Sequence, residues 1–297
     1  MTLITRRAFA ALAGASLVAP SAWAQTDVQV LTRAIPSSGE RLPAVGLGTA
    51  YVFNSDDEAT RKKAAAVLDA LVTNGGRLID TASTYGDAER VLGEVITRAG
   101  LRDKLFVATK LEAPDAAELE RSLTRLKTRK VDLLQLHNVS GRRQSLAQFK
   151  KWKDEGVCRY IGITSTFHSD YGAVEAVLRR EKPDFVQVDY SLDNREVEKR
   201  ILPLAAEVKA AVLTALPLGR GRLFRAVRGK EIPEWARGFA GSWAQFFLKF
   251  LLADSRITAV IPGTADPAHM ADNLGAMRGP LPDPEQRRRM IEFVQGI

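Results

Sequence analysis

The sequence predicts a single (β/α)8 (TIM) barrel of the α/β class, and three observations support this prediction. From residue 45 onward, short apolar runs bounded by turn residues alternate with amphipathic stretches. This strand–helix unit recurs eight times at a pitch of roughly 25–30 residues, which is the count and the length of such a barrel. No linker-like segment divides the units. An open doubly wound sheet is the alternative, but it rarely reaches eight units without a break.

Strands are predicted where several apolar or β-branched residues stand together between turn residues. A short hairpin, formed by residues 28–35 and 41–42 around Pro36-Ser37-Ser38-Gly39, is predicted ahead of the repeated units. The eight barrel strands are predicted at residues 45–49, 77–81, 105–110, 131–137, 160–164, 184–190, 211–216 and 259–261.

Helices are predicted where apolar residues recur at helical spacing, as Ala64, Leu68 and Leu71 do in the first of them. Gly75-Gly76 closes this helix. Asp87 stands at the start of the second helix, where a carboxylate can cap the free amides of the first turn. The helices are predicted at residues 57–74, 87–99, 115–127, 144–154, 171–180, 194–209, 242–252, 267–277 and 284–293.

Composition argues against nucleic-acid and metal-binding functions. The formal charge of +8 comes from basic residues scattered in short pairs, and the densest run, Arg287-Arg288-Arg289, is typical of a solvated helix face. Cys158 is the single cysteine, so the chain forms no internal disulfide and no cysteine-built metal site. With three histidines in the chain, a multi-histidine metal site is not expected either.

Residues 1–24 are predicted to be a signal peptide rather than part of the barrel, which then covers residues 25–297. Arg6-Arg7 precede an apolar stretch that is too short to span a bilayer, and Ala22-Trp23-Ala24 supplies a small-x-small cleavage pattern before Gln25. The paired arginines resemble a twin-arginine export signal. We therefore expect the twin-arginine translocation machinery as a partner, a periplasmic location and no stable membrane anchor. An uncleaved anchor or a simple Sec signal is the alternative.

Four polar side chains stand at or near the carboxyl ends of three consecutive predicted strands. Asp80 ends the second strand and Tyr85 follows in its loop, Lys110 ends the third strand, and His137 ends the fourth. Each has a structural interpretation when taken singly, for example a turn cap for Asp80 or a packing aromatic for Tyr85. In a (β/α)8 barrel these strand ends converge on one mouth, where catalytic residues lie. Their coincidence on adjacent strands favours a catalytic cluster.

The chemistry that this cluster supports is proton delivery from tyrosine. A free phenol has a pKa of about 10, and an adjacent ammonium such as that of Lys110 favours the phenolate. Asp80 would keep that ammonium charged and in place, and His137 would orient or polarise a carbonyl oxygen. No nucleophile–base pair for acyl transfer is evident. Proton donation to a carbonyl is incomplete without a redox cofactor, so a hydride donor is implied.

Asp80, Tyr85, Lys110 and His137, in this order and spacing, resemble the catalytic tetrad of the aldo-keto reductases. The resemblance covers essentially the whole mature chain, and Asp80-Thr81-Ala82-x-x-Tyr85 is its most specific motif. It implies a nicotinamide dinucleotide lying extended across the barrel mouth, with Tyr85 protonating a small-molecule carbonyl substrate. The positions that the resemblance assigns to the cofactor are Gly48, Thr49, Thr164, Ser165, Gln187, Pro217, Leu218, Gly219, Gly263, Thr264, His269 and Asn273.

Several departures from the family pattern concern the cofactor. Ala215 stands where the family has an aromatic residue that stacks on the nicotinamide. Gly263 and His269 stand where many members have a lysine and an arginine for the 2′-phosphate. NADPH is still the expected cofactor, with NADH as the alternative, and Arg220, Arg222 and Arg225 are candidate substitutes for the missing cations.

Two functions follow from this resemblance. The first is the NAD(P)H-dependent reduction of aldehydes and ketones, with loose specificity because the loops that cover the substrate in larger members are short here. The second is a dinucleotide-binding regulatory or redox-sensing module with little turnover, which the missing stacking aromatic keeps open. A barrel with other chemistry, such as a lyase or an isomerase, is the third alternative.

Overall fold

The computed structural model describes residues 29–297. Its strands are β1 (Thr32–Ala34), β2 (Arg41–Pro43), β3 (Leu47–Gly48), β4 (Leu78–Asp80), β5 (Phe106–Leu111), β6 (Val131–Leu136), β7 (Cys158–Ser165), β8 (Phe185–Asp189), β9 (Ala211–Ala215) and β10 (Ala259–Val260). Its helices are α1 (Glu58–Thr73), α2 (Ala88–Ala99), α3 (Ala116–Arg125), α4 (Ala147–Asp154), α5 (Tyr171–Glu181), α6 (Ile201–Glu207), α7 (Arg222–Ala226), α8 (Trp243–Leu252), α9 (Pro267–Gly275) and α10 (Pro284–Gln295).

The strands β3 to β10 form one parallel sheet of eight strands in sequence order. The sheet curls until its edge strands meet, since Val45 bridges to Val260 and Gly48 bridges to Gly263, both in parallel. The Gly48 amide donates to the carbonyl of Pro262 at 3.0 Å within this seam. A Cβ on Gly48 would lie 2.8 Å from the carbonyl oxygen of Ile261, so glycine permits the close approach. The predicted (β/α)8 fold class is confirmed.

The hairpin of β1 and β2 closes the amino-terminal end of the barrel. Ile35 and Leu42 of this hairpin are fully buried in one cluster with inward-facing barrel residues such as Phe106 and Phe185. The hydroxyl of Ser38 lies 2.7 Å from that of Tyr160, near the start of β7. Because one end is filled in this way, the carboxyl-terminal end is the open mouth.

Most predicted helices are confirmed, with three differences. Asp87 stands at the N-cap of α2, but its side chain accepts no hydrogen bond from the amides of the first turn, and its carboxylate lies 3.3 Å from Arg90. The helix predicted at 194–209 is a short 3-10 turn, Glu196–Glu198, followed by α6. Pro203 has no N–H and is tolerated only in a first helical turn, so α6 begins just before it. Helix α7 was not predicted, because it is only five residues long.

The predicted signal peptide at residues 1–24 lies outside the described residues, as does the start of the predicted hairpin at residue 28. Within residues 29–297, no helix is both long enough and apolar enough to cross a membrane.

Candidate active site

The ends of β4 and β5 bring Asp80, Tyr85 and Lys110 together at the mouth. The Lys110 ammonium donates to Oδ2 of Asp80 at 2.6 Å and to the backbone carbonyl of Thr81 at 2.7 Å. It also lies 3.4 Å from the hydroxyl of Tyr85 and 4.9 Å from the centre of its ring. Lys110 and Asp80 are buried, whereas Tyr85 is partly exposed. The cluster therefore presents a phenol hydroxyl to the mouth with a fixed cation behind it.

A tight turn holds Tyr85 in this position. The Tyr85 amide donates to the carbonyl of Ala82 at 3.1 Å, and the Ala88 amide donates to the carbonyl of Tyr85 at 3.0 Å. Gly86 has a φ of +56°, and a Cβ there would lie 2.9 Å from the backbone oxygen of Asn54. Only glycine meets both conditions, which explains why it follows the tyrosine.

Two glutamines form the polar floor beneath the cluster. Gln135 on β6 donates to Oε1 of Gln187 on β8 at 2.8 Å and to Oδ1 of Asp80 at 3.4 Å. Gln187 donates in turn to Oδ2 of Asp80 at 3.3 Å. Asp80 thus accepts hydrogen bonds from Lys110 and from both amides. Buried charges persist when they are paired and hydrogen-bonded in this way.

His137 lies against the ring of Tyr85. The two rings meet edge to face, with centroids 5.8 Å apart. Nδ1 of His137 contacts Oε1 of Glu112, which follows β5 directly. The amide of His137 donates to the carbonyl of Leu111 at 2.8 Å, so its backbone is fixed by the sheet.

The protonation states follow from burial and from these neighbours. Burial raises the pKa of the Tyr85 phenol, and the opposing effect of the Lys110 charge does not offset it. Burial also disfavours the Lys110 ammonium, but Asp80 and Tyr85 outweigh this and raise the pKa of Lys110. Burial and then Lys110 lower the pKa of His137, against the opposing effect of Glu112. In the free protein the phenol is therefore protonated at neutral pH, rather than shifted toward the phenolate by Lys110 as the sequence suggested.

A cavity of 740 Å³ opens above this cluster and extends across the mouth toward β9 and β10. The residues at the end nearest this cluster are Asp80, Thr84, Tyr85, His137 and Asn138. Lys110 does not line the cavity itself, but its ammonium contacts Tyr85, which does. Seven of the positions that the resemblance assigned to the cofactor line the cavity, namely Gly48, Thr49, Thr164, Gln187, Pro217, Leu218 and Gly263.

Five other positions that the resemblance assigned to the cofactor do not line this cavity. Ser165 is fully buried, and its hydroxyl donates to Asp170 at 2.8 Å. The Thr264 side chain turns back onto the backbone of Asp266. His269 is exposed on α9, whereas Asn273, on the same helix, and Gly219 are buried.

The structure adds residues that the sequence did not single out. Tyr51, Phe167 and Phe224 are 72%, 54% and 40% exposed, and all three line the cavity. These three aromatic residues, here called the aromatic rim, lie in loops or in the short helix α7, so no periodic pattern marked them. Glu112 was recognisable in principle, because it stands two residues after Lys110 and so continues the same face of the strand.

Among residues 29–297, no group of three or more His, Cys, Asp or Glu side chains is placed to hold a metal ion. Cys158 is buried, and burial raises the pKa of its thiol to about 12. The thiol is therefore unreactive at neutral pH.

A parallel (β/α)8 barrel with a carboxylate, an ammonium and a phenol gathered under one cavity at its mouth has the arrangement of an enzyme active site. The family model described as the aldo/keto reductase family matches residues 44–290. The chain belongs to this family, and so to oxidoreductases that act on carbonyl groups.

Individual relatives support the same assignment. Methylglyoxal reductase YeaE of Escherichia coli (strain K12) is 32% identical over 257 residues, covering 82% of this chain and 88% of that protein. An aldo/keto reductase from Klebsiella pneumoniae in complex with NADP and acetate superposes with a TM-score of 0.73 at 28% identity, covering 86% and 93% of the two chains. A second structure from that organism, in complex with NADPH, has a TM-score of 0.73 at 26% identity, covering 89% and 95%.

Proposed function

We propose that this protein reduces aldehydes and ketones to alcohols with NADPH, or alternatively NADH, as the hydride donor. The observation that carries the proposal is the Tyr85 hydroxyl, held 3.4 Å from a buried ammonium at the floor of a 740 Å³ cavity. Small reactive carbonyls such as methylglyoxal are the first substrates to test, because the relative from Escherichia coli is a methylglyoxal reductase.

The donor set of the cavity fits a dinucleotide. Thr164 and Gln187 line it as sheet partners, and Gln187 donates to Asp80 of the cluster, so this pair would hold the nicotinamide end. Pro217 and Leu218 lie farther along, followed by Arg220, which is the one cation among the described residues that line the cavity. The phosphates would lie against this segment. When bound, the cofactor supplies the hydride that the protein itself lacks.

The residues of the chain then handle the proton. A carbonyl oxygen that gains negative charge becomes alkoxide-like, and its conjugate acid is an alcohol, which is a far weaker acid than a phenol. Such an oxygen takes a proton even from a phenol whose pKa is raised, provided that the phenol is protonated and in contact. Tyr85 meets the first condition at neutral pH. Lys110 then stabilises the phenolate, and Asp80 holds Lys110 in place.

Replacing Tyr85 with phenylalanine tests this assignment directly. The change removes only the hydroxyl, so we expect kcat to fall by roughly 10²–10⁴-fold, the usual contribution of a general acid. Cofactor affinity, measured by quenching of NADPH fluorescence, should stay within about twofold because the ring still fills its place.

Unchanged turnover in the Tyr85→Phe variant would reject Tyr85 as the acid. The alternative of a binding or redox-sensing module makes a different prediction. In that case the wild-type protein would bind NADPH yet reduce none of a panel of aldehydes, ketones and α-dicarbonyls.

We further propose that the protein works in the periplasm, exported in folded form through the twin-arginine pathway. The support is the sequence of residues 1–24 alone, in which Arg6-Arg7 precede a short apolar stretch and a cleavage pattern. Export in folded form would let a cofactor bound in the cytosol travel with the protein. Replacing both arginines with lysines should leave the protein in the cytoplasmic fraction, and an unchanged periplasmic fraction would reject the proposal.

A further inference from the structure

Glu112 contacts the imidazole of His137 from the neighbouring strand end. Leu111 of β5 and Leu136 of β6 are partners in the sheet, so the residues that follow them, Glu112 and His137, stand next to each other across the ladder. Oε1 of Glu112 meets Nδ1 of His137. The position of this contact is therefore set by strand register, which is more rigid than a loop conformation.

The Glu112 carboxylate is itself held in place. Its backbone amide donates to Oε1 of Glu118 on α3 at 3.0 Å. The hydroxyl of Thr84 donates to the same Glu112 oxygen that contacts the imidazole, at 3.3 Å. The Glu112 side chain is 42% exposed, whereas that of His137 is 10% exposed. Glu112 thus stands between solvent and a nearly buried ring.

This contact determines which nitrogen of His137 carries a proton. An ionised carboxylate only accepts hydrogen bonds, so Nδ1 must be the protonated nitrogen of a neutral His137 ring. Nε2 then has a lone pair and no hydrogen. A carbonyl oxygen also only accepts. His137 can therefore hydrogen-bond a carbonyl oxygen through Nε2 only after taking up a second proton.

The charged groups around His137 act on this second proton in opposite directions. Burial and the Lys110 ammonium disfavour it, whereas Glu112 and, more weakly, Asp80 favour it. Tyr85 packs edge to face against the ring and is uncharged at neutral pH. Of the groups that favour the imidazolium, Glu112 has the largest effect.

We propose that Glu112 is a positioning residue that fixes the tautomer of His137 and supports the imidazolium whose Nε2 donates to the carbonyl oxygen of the substrate. The catalytic half of this proposal rests on the proposed carbonyl reduction. It predicts that kcat/KM falls as pH rises through the pKa of His137. In Glu112→Gln, whose amide oxygen still accepts from Nδ1 but carries no charge, this fall moves to lower pH.

The test combines nuclear magnetic resonance with kinetics on the full mature chain. The chain has three histidines, so ¹⁵N-labelled imidazoles give few signals, and His137→Gln assigns those of His137. We expect the wild-type ring to carry its proton on Nδ1 at high pH. In Glu112→Gln the titration should move to lower pH, and kcat/KM for methylglyoxal at neutral pH should fall about tenfold, the effect of losing a charged hydrogen-bond partner.

Two further variants serve as controls. Glu120→Gln removes the same charge from an exposed position on α3, away from the cavity, and should leave both the titration and kcat/KM unchanged. Glu112→Asp keeps the charge, so its His137 titration and its kcat/KM should lie closer to the wild-type values than those of Glu112→Gln.

The proposal is overturned if the wild-type ring carries its proton on Nε2, or if Glu112→Gln leaves the His137 titration where it was. If Glu112→Gln moves the His137 titration but leaves the pH profile of kcat/KM unchanged, the catalytic half of the proposal is rejected. Absence of turnover in the wild-type protein with every carbonyl would instead reject the proposed function, and with it the catalytic half. In that case the magnetic resonance titration would still decide whether Glu112 sets the tautomer of His137 and supports its imidazolium.

Discussion

The two sides of the barrel mouth hold their polar groups in different ways. On the side formed by β4, β5 and β6, Asp80 and Lys110 lie within strands and His137 follows one directly. Each of them is hydrogen-bonded to another strand end. On the side formed by β9 and β10, the cavity is lined by Pro217, Gly263 and other loop residues, with Arg220 exposed among them.

This difference matches the two roles proposed for the barrel mouth, which are proton donation on the β4–β6 side and dinucleotide binding on the β9–β10 side. A proton donor must be held in a fixed position, because catalysis depends on geometry within fractions of an ångström. A long, extended ligand can be bound by the backbone groups of turns that line an open cavity. The β4–β6 side is therefore expected to respond strongly to substitution in both stability and turnover. The β9–β10 side is expected to respond mainly in ligand affinity.

The largest effect is expected from Lys110→Met. This change leaves the buried Asp80 carboxylate without its cation, and breaking a buried pair in this way costs about 3–5 kcal/mol of unfolding free energy. Urea denaturation measures the loss. Because the pKa of Lys110 is raised above 10.5, the stabilisation by the pair should persist from neutral pH up to that value and decline only at higher pH.

Lys62→Met is the matched control for this variant, since Lys62 is exposed on α1 and should change stability by less than about 0.5 kcal/mol. A loss below about 1 kcal/mol in Lys110→Met would contradict the view that the β4–β6 side is held by this ion pair. Asp80 would then be protonated or solvated in the folded protein.

An intermediate effect is expected from Arg220→Ala on the opposite side. Arg220 lines the cavity with a φ of +52°. Removing one charged partner of a phosphate should weaken dinucleotide binding about tenfold without loss of stability. Fluorescence titration with NADPH and NADH measures this. Because both dinucleotides carry the pyrophosphate, we expect similar losses for the two.

Arg228→Ala is the control, because Arg228 is exposed just after α7 and does not line the cavity. A loss confined to NADPH would instead place Arg220 at the 2′-phosphate, in the role that Gly263 and His269 leave unfilled. An unchanged affinity for both would remove Arg220 from the cofactor site.

The same difference between the two sides explains what could be predicted from the sequence. Asp80, Lys110 and His137 were found because parallel strands end at one edge, so position along the strand fixes where each side chain lies. Ser165 was assigned to the cofactor through the family resemblance, but its hydroxyl donates to Asp170, a residue five places on. Side-chain direction beyond a strand depends on such local partners, which no periodic pattern reveals.

The aromatic rim of Tyr51, Phe167 and Phe224 was missed for a related reason. Exposed aromatic residues in loops have no spacing that distinguishes a ligand-facing side chain from a packed one. The pKa of Tyr85 shows a different limit. The sequence indicated the neighbouring ammonium, but the depth of burial, which decides the direction of the shift, depends on the assembled barrel.

The smallest effect on ligand binding is expected from Ser165→Ala. The hydroxyl of Ser165 donates to Asp170 and accepts from the amide of Phe167, and the residue is fully buried beside the cavity rather than in it. We expect about 1 kcal/mol of lost stability, the worth of a hydrogen bond, and NADPH affinity within about twofold of wild type. Thr164→Ala, one position earlier on the cavity floor, should weaken binding more. If Ser165→Ala instead lost tenfold in affinity with stability unchanged, the hydroxyl would have to leave Asp170 for the ligand. The end of β7 would then resemble the β9–β10 side of the mouth, which responds mainly in ligand affinity, rather than the β4–β6 side.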